Sequence, residues 1–110
     1  MKELNKSDLG NLFMSKPLNG HHALITGGSR GIGASISNAL AALGASITII
    51  SRDIDKLKLQ ARHLEKKFKS SVFYTSADIT DGNQIKDSFA KSVASNGPIN
   101  ILINKKHFIE

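Results

Sequence analysis

The stretch Thr26-Gly27-Gly28-Ser29-Arg30-Gly31-Ile32-Gly33 holds the residue types and spacing best suited to chemistry in this chain. Glycine at position 27 lets a chain turn sharply off a strand. Glycine at 31 lets backbone come close to a ligand, and glycine at 33 lets a following helix pack tightly on a sheet. A helix beginning here would present free N–H groups and a partial positive charge, which suits a phosphate. Ser29 adds a hydroxyl able to bond the same group. No Gly-Lys-Ser/Thr follows, so the loop is not of the Walker type. The bland alternative is a flexible turn without a ligand. A strand on one side and a helix on the other argue against it.

The flanking elements are legible from pattern. His22–Thr26 is short, apolar and ends at glycines, which predicts a buried strand. Ile32, Ile36, Leu40 and Leu43 then recur at helical spacing, with Ala34, Ala39 and Ala42 between them, and Gly44 closes the helix. Ser46–Ile50 is rich in β-branched residues and predicts a second strand. Asp53 can cap a basic helix whose apolar face uses Leu57, Ala61, Leu64 and Phe68. Ser71–Thr75 predicts a third strand. Asp81 opens a helix with Ile85, Phe89 and Val93 on one side, stopped by Asn96-Gly97-Pro98. Ile99–Ile103 predicts a fourth strand. Alternating strands and helices of this length imply an α/β fold, with a parallel sheet wound by right-handed crossovers.

The spacing Thr-Gly-x-x-x-Gly-x-Gly over residues 26–33 resembles that of the short-chain dehydrogenase/reductase family, at every defined position of the motif. The resemblance runs from about Leu18 to Asn104. It implies a partial Rossmann fold, four parallel strands in spatial order 3-2-1-4 flanked by helices, that binds a nicotinamide dinucleotide. The domain division expected is an N-terminal arm over 1–17, a nucleotide-binding half-domain over 18–104 and a divergent tail over 105–110. Met14, just ahead of Ser15-Lys16-Pro17, is a candidate start.

In a Rossmann fold the end of the second strand lies beside the adenosine ribose. An acid there bonds the 2′-OH and favours NAD, whereas arginine or small polar groups accommodate a 2′-phosphate and favour NADP. Here Ser51 stands where the acid is expected, 18 residues past Gly33, and Arg52 follows. A guanidinium meets a phosphate with a planar fork of donors, and Arg30 can reach the same region. NADP is therefore expected over NAD, with Asp53 read as a helix cap rather than a ribose ligand. Asp78-Ile79 resembles the family's Asp-Val/Ile pair, whose carboxylate and backbone contact the adenine, although an Asp after a strand is ordinary turn chemistry. The resemblance thus carries cofactor contacts onto Gly27, Ser29, Arg30, Gly31, Ile32, Gly33, Ser51, Arg52, Asp78, Ile79 and Asn104.

The resemblance breaks after Asn104. The family's Asn-Asn-Ala-Gly segment is replaced by Lys105-Lys106-His107-Phe108-Ile109-Glu110, which reads as a frameshift or early stop, with a naturally short protein as the alternative. The family's chemistry uses a Tyr-x-x-x-Lys pair with a Ser and an Asn, in which lysine lowers the tyrosine pKa so that tyrosine moves the proton. The single tyrosine here, Tyr74, is on the adenosine side, so no catalytic residue is assigned and the chain is expected to be inactive alone. The substrate chemistry implied for a complete relative is hydride transfer to a carbonyl, as in the family's acyl-carrier-protein reductases. The homo-oligomer helices of the family are also expected to be missing, and Ile99–Ile103 to form an aggregation-prone edge.

Composition narrows the remaining classes. The 110 residues contain 40% hydrophobic residues and no cysteine, so disulfides and thiolate metal sites are excluded. No signal peptide or membrane-spanning run is present, which fits a cytoplasmic protein. The net charge is +6, much of it in Lys56, Lys58, Arg62, Lys66, Lys67 and Lys69, mixed with Asp55 and Glu65. That pattern reads as a solvated helix face. Scarce aromatics make a nucleic-acid platform poor. His21 and His22 point to opposite sides of a strand, so no metal site is expected. A non-catalytic nucleotide-binding module and a basic polyanion-binding protein are the competing readings.

Overall fold

A computed structural model describes residues 16–104 of the chain. Residues 1–15 of the expected arm and the whole tail over 105–110 lie outside the described residues. The elements run β1 (His22–Thr26), α1 (Gly31–Ala42), β2 (Ser46–Ser51), α2 (Ile54–Phe68), β3 (Val72–Ser76), α3 (Gly82–Asn96) and β4 (Ile101–Asn104). The sheet is four-stranded and parallel in the order β3-β2-β1-β4, as the resemblance implies. β1 and β2 occupy its centre. Their runs are apolar without alternation because helices cover both faces.

The two faces divide the core. Ala23, Ile25, Ile47 and Ile49 pack beneath α1 and α2, against Ala41, Leu57, Ala61 and Leu64. Leu24, Ile50 and Ala77 form the opposite cluster, with Phe89 of α3 and Ile99 against them. Full burial of each such Leu or Ile contributes about 1.5–3 kcal/mol before chain entropy is counted. Among the described residues, no helix is long and apolar enough to cross a membrane.

Three details depart from the sequence expectations. α1 rests on the sheet through Gly33, Ser37 and Ala41. Ile32, expected on the buried stripe, is 68% exposed. α3 likewise buries Ser88 and Ser92 while Val93 is 42% exposed. In both helices small residues let the backbone approach the sheet, and the larger apolar groups flank the contact. Ser37 and Ser92 remain satisfied because their hydroxyls donate to the Gly33 and Phe89 carbonyls at 2.9 and 2.8 Å. β4 begins at Ile101 rather than Ile99. Asn100 is held in a reciprocal pair just before it. Its amide donates to the His22 carbonyl at 2.9 Å, and its Oδ1 accepts from the His22 amide at 2.8 Å.

His22 itself is buried. Its Nδ1 lies 2.9 Å from the Gly97 carbonyl oxygen and its Nε2 lies 2.7 Å from Thr48 Oγ1. A carbonyl only accepts, so Nδ1 carries the proton and Nε2 accepts from the threonine. Both ring nitrogens are thereby used in holding β1, β2 and the α3–β4 turn together. His21 is exposed, and the described residues contain no cluster of three metal-binding groups.

Candidate functional site

The C-terminal ends of β1, β2 and β3 open into a cleft of about 350 Å³. This is the edge at which open parallel sheets bind ligands. Gly27, Ser29 and Arg30 line it from the loop after β1, Ser51 and Arg52 from the end of β2, and Ala77 and Ile79 from the segment after β3. Asp53 and Lys56 complete the wall from the start of α2.

The loop conformation follows from its glycines. Gly27 and Gly31 have φ of +74° and +61°, backbone that side-chain-bearing residues adopt only with strain. At Gly33 the constraint is space instead. A Cβ there would stand 2.2 Å from the Gly27 carbonyl oxygen, so the loop folds back directly onto the first turn of α1.

That first turn has no side-chain cap. Arg30 occupies the N-cap position in extended backbone without a capping hydrogen bond, and no acid stands in the first turn. The other two helices are closed differently. Asp53 accepts from the Lys56 amide at the start of α2, and Asp81 accepts from the Asn83 and Gln84 amides at the start of α3. The leading N–H groups of α1 are therefore left to solvent or an anion, with the helix dipole adding positive potential. Arg30 and Arg52 are both exposed and border the same cleft. These features fit a phosphate-bearing ligand.

Ser51 Oγ donates to Ser29 Oγ at 3.2 Å, joining the end of β2 to the glycine loop. Thr26 Oγ1 donates to Asn104 Oδ1 at 2.8 Å, joining the end of β1 to the end of β4. Asp53 has the capping role read from the sequence, with Oδ1 3.2 Å from the Lys56 amide nitrogen. Asp78 organises its own turn. Oδ1 accepts from the Thr80 hydroxyl at 2.7 Å and the Thr80 amide at 2.9 Å, while the Asp78 amide donates to Gln84 Oε1 at 2.8 Å. The Thr80 hydroxyl, then the Thr80 amide and more weakly the Arg52 charge hold the Asp78 carboxyl below the ordinary carboxylate range, against a small opposing effect of burial.

The cleft thus gathers Gly27, Ser29, Arg30, Ser51, Arg52 and Ile79 from the residues singled out by sequence. Gly31, Ile32 and Gly33 form the adjoining first turn of α1. Asp78 lies between two lining residues, and Asn104 stands across β1 at the end of β4. Sequence reasoning missed Lys56 and Ala77. For Lys56 a signal existed, since it stands three residues after Asp53 in the first turn of the helix that follows β2.

Residues 21–105 match the short chain dehydrogenase family. The 3-dehydrosphinganine reductase TSC10A of Arabidopsis thaliana is 34% identical over 87 residues, which are 79% of this chain and 26% of that protein. A 15-hydroxyprostaglandin dehydrogenase of Macaca fascicularis, whose name specifies NAD(+), is 31% identical over 88 residues, 79% of this chain and 33% of that protein. The crystal structure of L-sorbose reductase from Gluconobacter frateurii, complexed with NADPH and L-sorbose, superposes with a TM-score of 0.78 at 32% identity, over 82% of this chain and 34% of that one. The chain spans about a quarter to a third of the length of these proteins. With the glycine loop, the strand order and these likenesses in agreement, the chain belongs to the short chain dehydrogenase family.

Proposed function

We propose that this chain holds the adenosine and pyrophosphate half of a nicotinamide dinucleotide, NADP in preference to NAD, as part of an oxidoreductase acting on a carbonyl or alcohol. The observation that carries the reading is the cleft at the uncapped start of α1, bordered by Arg30 and Arg52 and with Ser51 in place of an acid. In this reading the Gly27–Gly33 backbone binds pyrophosphate, and the two guanidinium groups receive the ribose 2′-phosphate. Ser29 bonds a phosphate oxygen. Asp78 and Ile79 border the adenine, and Asn104 closes the far side. The cofactor, when bound, supplies the hydride.

These 110 residues supply binding rather than proton transfer. Tyr74 is the single tyrosine, and it packs against the core beneath α1 and α2. It has no route to the substrate side of a cofactor seated in the cleft. Reductase activity toward a 3-oxoacyl or related carbonyl belongs to the complete protein in this proposal.

A polyanion-binding role would use the exposed Lys58, Arg62, Lys66, Lys67 and Lys69 of α2. Titration separates the readings. Saturable NADPH binding, weakened by Gly31→Val and by Arg52→Ala, supports the cleft. Salt-sensitive binding of heparin and DNA alike, with no nucleotide preference, supports the basic face and refutes the cleft.

A further inference from the structure

We propose that Lys56 is a specificity-determining cation of the cleft, which offsets the Asp53 carboxylate and makes the site fit a phosphomonoester on the ribose. The inference rests on the nucleotide reading above and adds a residue to it. Arg30, Arg52, Lys56 and Asp53 are the charged side chains lining the cleft, three positive and one negative, for a net +2. A phosphomonoester carries about −1.5 to −2 near neutral pH. A ribose with a free 2′-OH carries no charge there.

Lys56 is what keeps that balance. Its backbone amide is fixed by Asp53 Oδ1 at 3.2 Å, so its side chain starts from a set position on the cleft wall. Its ammonium lies 4.0 Å from Asp53 Oδ2, with the two side chains 42% and 50% exposed. That contact is loose, and an exposed pair of this kind is held weakly. The ammonium can therefore turn toward an incoming phosphate at little cost while still screening Asp53. Without it the cleft would carry +1, with an unscreened carboxylate facing the phosphate.

The test is calorimetric titration of the full chain with adenosine 2′,5′-bisphosphate and with 5′-AMP. Lys56→Met is expected to weaken the bisphosphate by about 3- to 10-fold, the size of one charge contact near 4 Å in a solvated site. It should leave 5′-AMP unchanged, and Lys56→Arg should restore the bisphosphate. Lys58→Met, on the exposed face of the same helix, should change neither, and circular dichroism melting monitors the fold of every variant. If Lys56→Met binds both ligands like the parent while Arg52→Ala still loses the bisphosphate, Lys56 is only a helix partner of Asp53 and the proposal is overturned, with the cleft intact. If Lys58→Met matches Lys56→Met, the effect is diffuse charge and the proposal is also overturned. If the parent itself does not prefer the bisphosphate, the cleft assignment fails and takes this one with it.

Discussion

Ser51 donates its hydroxyl to Ser29 across 3.2 Å, and the contact fastens the second strand to the glycine loop at the rim of the cleft. In the proposed reading it sets a small neutral group at the position from which an acid would bond a ribose 2′-OH. Ser51→Asp is expected to weaken NADPH by about 10- to 100-fold, since it sets a carboxylate against a phosphate where charge-assisted bonds are worth about 1.5–3 kcal/mol. NADH binding should strengthen. Competitive titration of the two cofactors checks both directions, and an unchanged ratio would contradict the assignment.

Gly33 abuts the Gly27 carbonyl so closely that a methyl group has no room. Gly33→Ala should cost about 1–3 kcal/mol as loop and helix move apart, and nucleotide binding should be lost with it. Denaturant midpoints and a nucleotide titration on the same sample test this. A variant with parental stability would show that the loop is looser than the structure has it.

Asp53 caps α2. Asp53→Ala should lower stability by about 1 kcal/mol and leave the preference for a 2′-phosphate in place. Loss of NADH binding without loss of stability would instead make Asp53 a ribose ligand.

Asp78 gives a pH signature. Its folded carboxyl titrates below its unfolded value, first because of the Thr80 hydroxyl. A depressed folded pKa means that the ionised form favours the folded state. That contribution is present above the unfolded value of about 3.9 and is lost as pH falls through the folded one. Thr80→Val should move the Asp78 titration upward, toward the ordinary carboxylate value, in a carboxyl-carbon NMR experiment. An unmoved titration would remove the hydroxyl from the explanation.

Leu102 is 52% exposed and pairs in register with Leu24, so it points to the α3 side of the sheet. Among the described residues β4 has a strand neighbour on one side only. Expressed alone, the 110-residue chain should self-associate through this apolar edge. Leu102→Lys should reduce that association in light scattering. Equal association by parent and variant would place the contact elsewhere.

The strand–helix alternation was legible because its signals are local. His22–Thr26 and Ser46–Ile50 are apolar runs of strand length, and Asp53 and Asp81 stand at helix starts. The cleft was largely legible too, since Ser29, Arg30, Ser51 and Arg52 fall at fixed offsets from the glycine loop. The buried faces of α1 and α3 were not. Hydropathy marks Ile32 and Val93 as core and Ser37, Ser88 and Ser92 as surface, whereas close approach to the sheet favours small volume and a serine can return its hydroxyl bond to its own helix. Lys56 was hidden for another reason. In a run of basic residues that reads as one solvated face, its place three residues after the capping Asp53 is the signal that sets it apart, and that signal is easily passed over. The onset of β4 was obscured by Ile99, an apolar residue that serves the core from outside the strand.

The most direct measurement is the ratio of dissociation constants for NADPH and NADH, taken by calorimetry on one folded sample at fixed salt. The predicted result is saturable binding of both, with NADPH tighter by about tenfold or more, as expected for a charge-assisted phosphate contact worth at least about 1.4 kcal/mol. Equal affinity would remove the role given to Arg30 and Arg52, and no affinity for either would remove the nucleotide site itself.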